Sequence, residues 1–342
     1  MQRVKRSAMP LVVLALGAVL ATGCGSSTSS SAGSSSSGTA AASSSSSSGS
    51  GKKFAIGLVP FALADPGSNQ ILKGLEAVAK TNGWSYSVID AQGAPDKAIA
   101  AIQNLVQKKV NVIVTTVFPA NSLAAGGLAA KAAGIPIASV GSGTGDGVEA
   151  NWDVGTQVGK DLGAKVVADT KGIGNLLVLG YSPGLPCRQR EAGLDAAVKG
   201  TQFKTTRDEV PIPGQVDASA KFTEAWLAAH PQSATPATIW GCLDDFSAGA
   251  LSALKQANRT GVKVYSINGA PGALEAVRAG TLTATDWVNW YGLGEQIGKA
   301  VPTVIKNGVN GAPFEGGAPS VLVDSSNVAA FLKQYPQALT WK

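Results

Sequence analysis

A serine between two glycines is the clearest candidate for covalent chemistry in the chain. Residues 180–184 read Gly-Tyr-Ser-Pro-Gly and match the G-x-S-x-G pattern, in which the serine nucleophile of a hydrolase lies between a strand and a helix. Ser182 would be the nucleophile and His230, the only histidine, its general base. The residue after the nucleophile normally donates a backbone N–H to the oxyanion, and Pro183 has none. A Gly/Pro turn is therefore the favoured interpretation, and a secreted serine hydrolase is the alternative.

Metal and nucleotide chemistry receive little support from the residue types. Three cysteines and one histidine do not favour a tetrahedral Cys/His zinc cluster or a pair of histidine ligands. No G-x-x-x-x-G-K-[ST] phosphate loop occurs, and the glycine-rich run 141–147 fails G-x-G-x-x-G because Asp146 or Val148 falls where the last glycine is needed. The leading prediction therefore contains no catalytic residue, no metal and no cofactor.

The elements that must position the remaining polar residues alternate between strands and helices. Short β-branched runs are separated by alanine-rich stretches of helical length, and glycine marks the helix-to-strand joints. This alternation is typical of parallel sheets with crossover helices. Because a helix over 154–170 separates two such series, we predict an α/β fold of two Rossmann-like (flavodoxin-like) lobes. The predicted strands cover 54–59, 85–90, 110–117, 135–140, 175–180, 205–210, 238–243, 263–267 and 282–287.

Ligands of open parallel sheets bind beyond the carboxyl ends of the strands. Functional residues are therefore expected in the segments that follow the strands. These segments are 61–69, 118–121, 141–147, 181–190, 244–247, 268–272 and 286–291.

The first fifty residues predict export and attachment to a membrane. A basic start is followed by an apolar run over 10–20 that is too short to span a bilayer, and small residues precede Cys24. This arrangement resembles the lipobox of bacterial lipoproteins, so we predict a signal peptide over 1–23 and lipidation of Cys24. The 27 residues from 25 to 51 include 16 serines and 5 glycines, a composition typical of a disordered tether, so 24–51 is read as anchor and tether.

Length and charge limit the remaining classes of protein. The 342 residues and an apolar content of 44% are enough for two domains with their own cores. The formal charge of +6 falls to +3 once Arg3, Lys5 and Arg6 are assigned to the leader. We therefore predict no nucleic acid partner.

Several short motifs, weak singly but specific together, resemble the type I periplasmic binding proteins of the ribose and galactose kind, which serve ABC importers. The resemblance spans essentially all of 54–342. It implies a three-segment hinge near Ala150, Asn289 and Pro319, an N-terminal lobe over 52–150 plus 290–319, and a C-terminal lobe over 151–289 plus 320–342. It also implies lobe closure around one small solute. The motifs are Ile56 to Val59 with Asp65-Pro66, Ile135-Pro136-Ile137, Arg188-Gln189-Arg190 with Gly193, Asp244 to Ala250, and Ile267-Asn268-Gly269.

The resemblance implies a solute-binding role for three polar residues. Arg188 is similar to an arginine that donates hydrogen bonds to sugar hydroxyls in the family, a task suited to a planar guanidinium. Asn268 stands where the family usually has a ligand-binding aspartate, and Asp65 stands near the family's asparagine. An exposed arginine at a helix start, and helix caps at Asn268 and Asp65, are the alternatives.

Other features of the family's sugar sites are missing. Gly141-Ser142 stands where an Asp-Arg pair grips ring hydroxyls, and Gly67-Ser68 stands where paired aromatic residues are usual. Leu243 occupies the usual asparagine position, and Val288, or Asn289 if the register slips by one, stands where a glutamine is expected. The ligand is therefore expected to be less hydroxylated than ribose or glucose.

Aromatic residues and carboxylates near strand ends replace part of what is missing. Such pairs stack on sugars or enclose a cation, and ordinary core or hinge packing is the alternative. The predicted ligand-binding set is Asp65, Ser142, Trp152, Asp153, Arg188, Asp244, Asn268, Trp287 and Asn289.

The two remaining cysteines lie at strand ends of the second lobe. Cys187 follows its first strand and Cys242 ends its third, and these strands are neighbours in the flavodoxin-like order 2-1-3. In an exported protein this placement predicts a disulfide, with two free thiols as the alternative.

The leading hypothesis is a monomeric extracytoplasmic solute-binding lipoprotein of an ABC importer. It is not an enzyme: it captures a sugar, polyol or related polar or aromatic solute and delivers it to membrane permease subunits, while a lipid anchor holds it at the cell membrane. A ligand sensor for a membrane receptor is the second hypothesis, and a hydrolase using Ser182 is the third. A repressor of the same fold is disfavoured because no basic helix-turn-helix segment precedes Phe54.

Overall fold

The computed structural model describes residues 52–145 and 147–341. The predicted signal peptide, the candidate lipidation site Cys24 and the serine-rich tether lie outside these residues. Within the described chain, no helix combines the length and the apolar character needed to span a bilayer.

The first part of the chain builds an N-terminal lobe in which each helix returns the chain to the start of the next parallel strand. Prolines at the first turns of α1 and α2 suit helix starts, since those positions need no backbone N–H. In chain order the elements are β1 (Ala55–Val59), α1 (Pro66–Thr81), β2 (Ser85–Val88), α2 (Pro95–Gln107), β3 (Val112–Thr116), α3 (Ala124–Ala132), β4 (Ile137–Val140) and β5 (Val148–Asp153).

The middle of the chain repeats this pattern as a C-terminal lobe. Its elements are α4 (Thr156–Thr170), β6 (Ile173–Gly180), α5 (Leu185–Val198), β7 (Gln202–Glu209), α6 (Gln215–Ala229), β8 (Ala237–Gly241), α7 (Asp244–Gln256), β9 (Val262–Asn268), α8 (Pro271–Arg278) and β10 (Ala284–Val288). The chain then returns through α9 (Trp290–Asn307), β11 (Phe314–Gly317), β12 (Ser320–Asp324) and α10 (Val328–Gln334).

The twelve strands of the described residues form two sheets of six. The N-terminal sheet has the order β11-β5-β4-β3-β1-β2 and is parallel throughout, whereas the C-terminal sheet has the order β12-β10-β9-β8-β6-β7 and only β12 is antiparallel. The predicted two-lobe α/β architecture is therefore confirmed.

The chain crosses between the sheets three times: between β5 and α4, between β10 and α9, and between β11 and β12. The first crossing follows Asp153, whereas the sequence analysis placed a boundary at residue 150. The difference arises because β5 pairs with β4 as far as Trp152 and with β11 as far as Asp153, which keeps both residues in the N-terminal sheet.

Glycines allow helices to approach closely at two places that matter for the cleft. A Cβ at Gly294 of α9 would collide with the carbonyl of Ile71, so α9 packs directly on α1 of the N-terminal lobe. A Cβ at Gly159 of α4 would lie 2.5 Å from the Cα of Arg190 on α5. The close α4–α5 contact holds the start of α5 beside the hinge.

The sheets are anchored by apolar strands buried on both faces. Residues 176–179 of β6 are 0% exposed, as expected for a central parallel strand covered by helices. Full burial of each such Leu or Val side chain contributes about 1.5–3 kcal/mol. This rigid framework fixes the strand ends from which the cleft residues project.

Candidate ligand-binding site

A cleft of about 630 Å³ lies between the two sheets. Residues at or just after the carboxyl ends of β1, β2 and β3 line it on one side, and residues after β6, β7, β8 and β9 line it on the other. Small-molecule sites typically measure about 300–1,000 Å³. The cleft therefore has the position and the size of a site for one small solute.

Asp65 lies on the N-terminal wall of the cleft, at the start of α1. Its Oδ2 accepts a hydrogen bond of 2.8 Å from the Ser68 N–H, and the Ser68 hydroxyl lies 2.9 Å from that of Thr116. Burial raises the pKa of the Asp65 carboxyl. Asp65 is thus a helix cap and a cleft residue together, two roles that the sequence analysis treated as alternatives.

Asp90 and Gln92 also line the N-terminal wall, and the sequence analysis missed both. Asp90 Oδ1 accepts hydrogen bonds from the Gln92 N–H at 3.0 Å and from the Leu63 N–H at 3.1 Å, which joins the loop after β2 to the loop after β1. The position of Asp90 at the end of the second predicted strand would have indicated it as a cleft residue. The segment after that strand was not among the candidate segments.

Asp244 begins α7 on the C-terminal wall and is 7% exposed. Its Oδ2 accepts a hydrogen bond of 2.6 Å from the Ala270 N–H, and its Oδ1 accepts from the hydroxyls of Ser266 and Thr285. Burial raises the pKa of Asp244 to about 6, although the three hydrogen bonds act to lower it. Because its oxygens already hold three donors, Asp244 chiefly ties the ends of β8, β9 and β10 together.

Asn268 ends β9 and lines the cleft. Its φ of 128° is unusual for a residue with a side chain, and its side-chain oxygen Oδ1 is buried without a hydrogen-bond partner among the described residues. Strained backbone and an unpaired polar atom occur together most often at binding sites. The amide of Asn268 is therefore positioned to bind a polar group of a solute.

Arg190, which the sequence analysis passed over in favour of Arg188, is the arginine of the cleft. Arg188 is exposed and donates to the Ser182 carbonyl, whereas Arg190 is 1% exposed and lines the cleft. The two side chains differ because α5 buries the face that carries Cys187 and Arg190, three residues apart. That helical spacing from Cys187 was the signal that would have identified Arg190.

The guanidinium of Arg190 joins the hinge to the C-terminal sheet. Nη2 donates to the Val154 carbonyl at 3.0 Å and Nε donates to the same carbonyl at 3.3 Å, while Nη1 donates to the Cys242 carbonyl at 3.0 Å. Burial lowers the pKa of Arg190 to about 10, and the carboxyl groups of Asp244 and Asp286 oppose that effect. At neutral pH the guanidinium is therefore charged.

Two of the predicted aromatic residues pack in the lobes instead of lining the cleft. Trp152 is 2% exposed in β5 and its ring lies 5.1 Å from that of Phe314 on β11. Trp287 is 6% exposed in β10 and its ring lies 5.0 Å from Tyr335 and 5.1 Å from Phe331. Both tryptophans lie within strands, so their rings point to a packed sheet face and not beyond a strand end.

Three predicted polar residues also lie outside the cleft wall. Asp153 accepts hydrogen bonds from the Thr156 N–H at 2.8 Å and from Gln189 Nε2 at 2.6 Å, so it caps α4 at the first crossing. Asn289 caps α9 by accepting from the Gly292 N–H at 2.9 Å. Ser142 is 2% exposed, in the segment that follows β4. Two of the three positions thus serve the hinge, where short polar side chains satisfy helix starts.

Aromatic residues from other positions face the cleft. They are Phe61 after β1, Tyr181 after β6, Trp290 at the start of α9, and Trp341, whose carbonyl accepts a hydrogen bond from Gln70 Nε2 of α1. Trp290 follows the predicted Asn289 by one residue. Sequence analysis therefore located this crossing and counted Trp290 among the candidate aromatic residues, but its ligand-binding set contained Trp287 and not Trp290.

The structure joins Cys187 and Cys242 in a disulfide with Cα atoms 5.6 Å apart. The bridge links the start of α5 to the end of β8, on neighbouring strands β6 and β8. It therefore holds the segment that carries Arg190 against the C-terminal sheet.

The structure does not bring Ser182 and His230 together. Ser182 follows the carboxyl end of β6, and its N–H donates to the Glu209 carboxylate at 2.9 Å. His230 ends α6, which leads to the amino end of β8, and its Nδ1 lies 2.8 Å from the Trp226 carbonyl. Because β6 and β8 are parallel neighbours, Ser182 lies near the carboxyl ends of the strands and His230 near their amino ends. Ser182 and the chain's one histidine therefore do not form a pair for nucleophilic catalysis.

Known proteins with similar sequences are binding proteins. A family model described as a periplasmic binding protein domain matches residues 56–308. The ribose import binding protein of Escherichia coli is 26% identical over 245 residues, which cover 68% of this chain and 78% of that protein. The xylitol-binding protein of Mycolicibacterium smegmatis is 26% identical over 230 residues, covering 64% of this chain and 62% of that protein.

Solved structures share the two-lobe fold. An ABC transporter solute binding protein from Agrobacterium vitis with bound allitol is 24% identical with a TM-score of 0.76, and the match covers 83% of this chain and 99% of that one. The resemblance found in the sequence is confirmed, and the chain belongs to the periplasmic binding protein domain family.

Proposed function

We propose that this chain is the solute-binding component of an ABC importer and captures a small sugar-like or related polar solute by closure of its two lobes. The observation that carries the proposal is the cleft between the sheets, with polar groups contributed by both lobes. Asp65 and Asp90 belong to one lobe, and Arg190, Asp245 and Asn268 belong to the other. A solute that contacts both sets stabilises the closed arrangement, because its binding free energy is available only when the walls meet.

The three crossings between the sheets support a hinge mechanism. Asp153 and Asn289 cap the helices that begin at two of the crossings, and Arg190 donates to the carbonyl of Val154. These contacts keep the connecting segments short and defined, so the lobes are expected to rotate as rigid bodies. We place the lobes at 52–153 plus 290–318 and at 154–289 plus 319–341.

Known relatives support the nature of the solute. The E. coli relative is a ribose import binding protein, the M. smegmatis relative is a xylitol-binding protein, and the A. vitis structure holds allitol. We infer that this chain also binds a compound of monosaccharide or polyol size. It performs no chemistry on that compound and presents it to permease subunits in the membrane.

The N-terminal sequence supports attachment to the extracytoplasmic face of the cell membrane through a lipid on Cys24. The tether of 27 residues would let a monomeric body reorient at a distance on the order of 30 Å from the membrane. Substitution of Cys24 by Ala is expected to release the protein from the membrane fraction. Retention of the C24A protein in that fraction would refute the anchor.

A thermal-shift screen tests the binding function. The panel contains ribose, xylitol, allitol and myo-inositol, together with the amino derivatives of hexoses and hexitols. A compound present at 100 times its Kd adds about 2.7 kcal/mol to the free energy of unfolding. Asn268→Ala should remove the shift, whereas Glu224→Gln, on the exposed face of α6, should keep it. If no sugar, polyol or amino derivative shifts the unfolding temperature, the proposed function is wrong.

A further inference from the structure

The charged groups that line the cleft are unbalanced. Among the described residues of its walls, four carboxyl groups face a single guanidinium: Asp65, Asp90, Asp244 and Asp245 against Arg190. A neutral sugar offers hydroxyl donors but no charge to compensate the excess of carboxylates. Buried or half-buried carboxylates without a counter-ion are costly, and a cationic ligand would remove that cost.

Arg190 does not supply the missing positive charge where the cleft needs it. Its guanidinium donates to the carbonyls of Val154 and Cys242, and the carboxyl groups of Asp244 and Asp286 act on it more strongly than that of Asp65. Asp286 is 1% exposed and the charge of Arg190 acts on its carboxyl group, so Arg190 is also its compensating charge. The guanidinium of Arg190 therefore interacts mainly with backbone carbonyls and with Asp286, and not with the carboxylates of the opposite wall.

Two carboxylates line the cleft from opposite lobes, those of Asp65 and Asp245. Asp65 belongs to the start of α1, and Asp245 belongs to the first turn of α7, where its Oδ2 accepts a hydrogen bond of 2.9 Å from Gln215 Nε2. Burial raises the pKa of Asp65, and the negative charge of Asp245 raises it further. Neither carboxylate takes part in an ion pair within the described chain.

An aromatic ring lies beside the same space. A Cβ placed on Gly67 would lie 3.6 Å from the ring of Trp290 and 3.7 Å from Asp65 Oδ2, so ring and carboxylate flank one position. Trp290 is 8% exposed, and its indole N–H has no acceptor among the described residues. A carboxylate next to an aromatic face is an arrangement that binds ammonium groups.

We propose that the solute carries a basic nitrogen, whose ammonium group is held between Asp65 and Asp245 beside Trp290. This inference rests on the proposed function and narrows its substrate to a hydroxylated amine, such as an amino sugar or an amino-polyol. The amide of Asn268 and the side-chain N–H groups of Gln92, whose Oε1 already accepts from Lys97, then remain for the hydroxyls. Lobe closure brings the two carboxylates onto one ammonium group, so the charge of the ligand favours the closed state.

Calorimetric titration of the purified full-length protein tests the inference with pairs that differ in one group. The pairs are glucosamine with glucose, and 1-amino-1-deoxysorbitol with sorbitol. We expect the amine of at least one pair to bind more than tenfold more tightly than its hydroxyl partner, with an affinity that falls as salt is added. Asp65→Asn and Asp245→Asn should each weaken amine binding at least tenfold and weaken binding of the neutral partner by a smaller factor, so that the preference for the amine falls. Glu224→Gln should change neither.

The outcomes separate the two proposals. If a neutral sugar or polyol binds as tightly as its amine, or if Asp65→Asn and Asp245→Asn strengthen neutral binding without weakening amine binding, the inference is wrong and the proposed function stands. If an anionic sugar acid binds best, the inference is also wrong. Failure of every sugar, polyol and amino derivative to bind would overturn both. Far-ultraviolet circular dichroism of each variant checks that a loss of binding does not come from a loss of folding.

Discussion

Replacing Asp286 by Asn should stabilise the protein more at high pH than at low pH. Asp286 lies in the middle of β10, is 1% exposed, and takes part in no ion pair among the described residues. The pKa of Asp286 is raised to about 7, chiefly by burial and also by the charge of Asp161, while the Ser320 hydroxyl and the charge of Arg190 oppose the rise. The folded protein therefore holds this proton to a higher pH than the unfolded chain does.

The sign and size of the effect follow from proton linkage. A carboxyl whose pKa is raised from 3.8 to about 7 on folding contributes stability below pH 3.8 and loses it progressively as the pH rises to about 7. Between pH 5 and pH 7 the loss spans two pH units at about 1.4 kcal/mol each, or roughly 2–3 kcal/mol. The amide introduced by Asp286→Asn does not titrate, so the variant should gain that amount relative to the wild type between pH 5 and pH 8.

Urea unfolding followed by tryptophan fluorescence at pH 5 and pH 8 measures the difference. Glu224→Gln, which removes an exposed carboxylate, is the matched control and should show no comparable pH dependence. The reasoning is refuted if the free energies of unfolding of the Asp286→Asn variant and the wild type differ by the same amount at both pH values. A larger gain at pH 5 than at pH 8 would also contradict it, because the sign would be reversed.

Two further predictions concern the C-terminal wall of the cleft. Arg190→Met removes three hydrogen bonds and the charge that acts on Asp286, so it should lower the free energy of unfolding by about 3–5 kcal/mol. Arg188→Ala is the control and should change the free energy of unfolding by less than about 0.5 kcal/mol. Equal effects of the two variants in chemical denaturation would contradict the buried role of Arg190. Replacement of both Cys187 and Cys242 by Ser opens a loop with a sequence separation of 55 residues and should cost about 2–4 kcal/mol. Unchanged stability of the wild type after full reduction would argue against the bridge.

The architecture was predictable because the strand and helix signals are local and repeated. Glycine at helix ends and β-branched runs indicate the same alternation in both halves, and parallel strands joined by helices admit few topologies. The end of β5 was harder to predict from the sequence, because residues 151–153 pair with β11, which lies more than 150 residues later in the chain. Only the folded structure shows that a strand continues into the first crossing.

The site was predictable in position but only partly in residue identity. Asp65 and Asp244 follow strands, Asn268 ends one, and all three line the cleft, while their part in ligand binding stays a prediction. Arg188 and Arg190 are two residues apart on a helix, so the choice between them depends on which helix face is buried. The tryptophans were selected by type near strand ends, without the strand periodicity that separates a packed face from a strand end.

The ends of the edge strands were a further gap. Asp90 and Gln92 follow β2, and residues 212–215 follow β7, yet both segments line the cleft. Edge strands are short or exposed here, and β7 is largely exposed, so their signals of hydrophobic burial are weak. Residues beyond them enter the site because the twist of each sheet curves its edge around the cleft.

Small-angle X-ray scattering with and without the tightest-binding compound of the panel tests the central claim most directly. The account predicts that saturating ligand lowers the radius of gyration of the protein, since the two lobes close on the solute, and that Asn268→Ala shows no decrease at the same concentration. An unchanged radius of gyration at a concentration where calorimetry shows the wild type saturated would contradict capture by lobe closure.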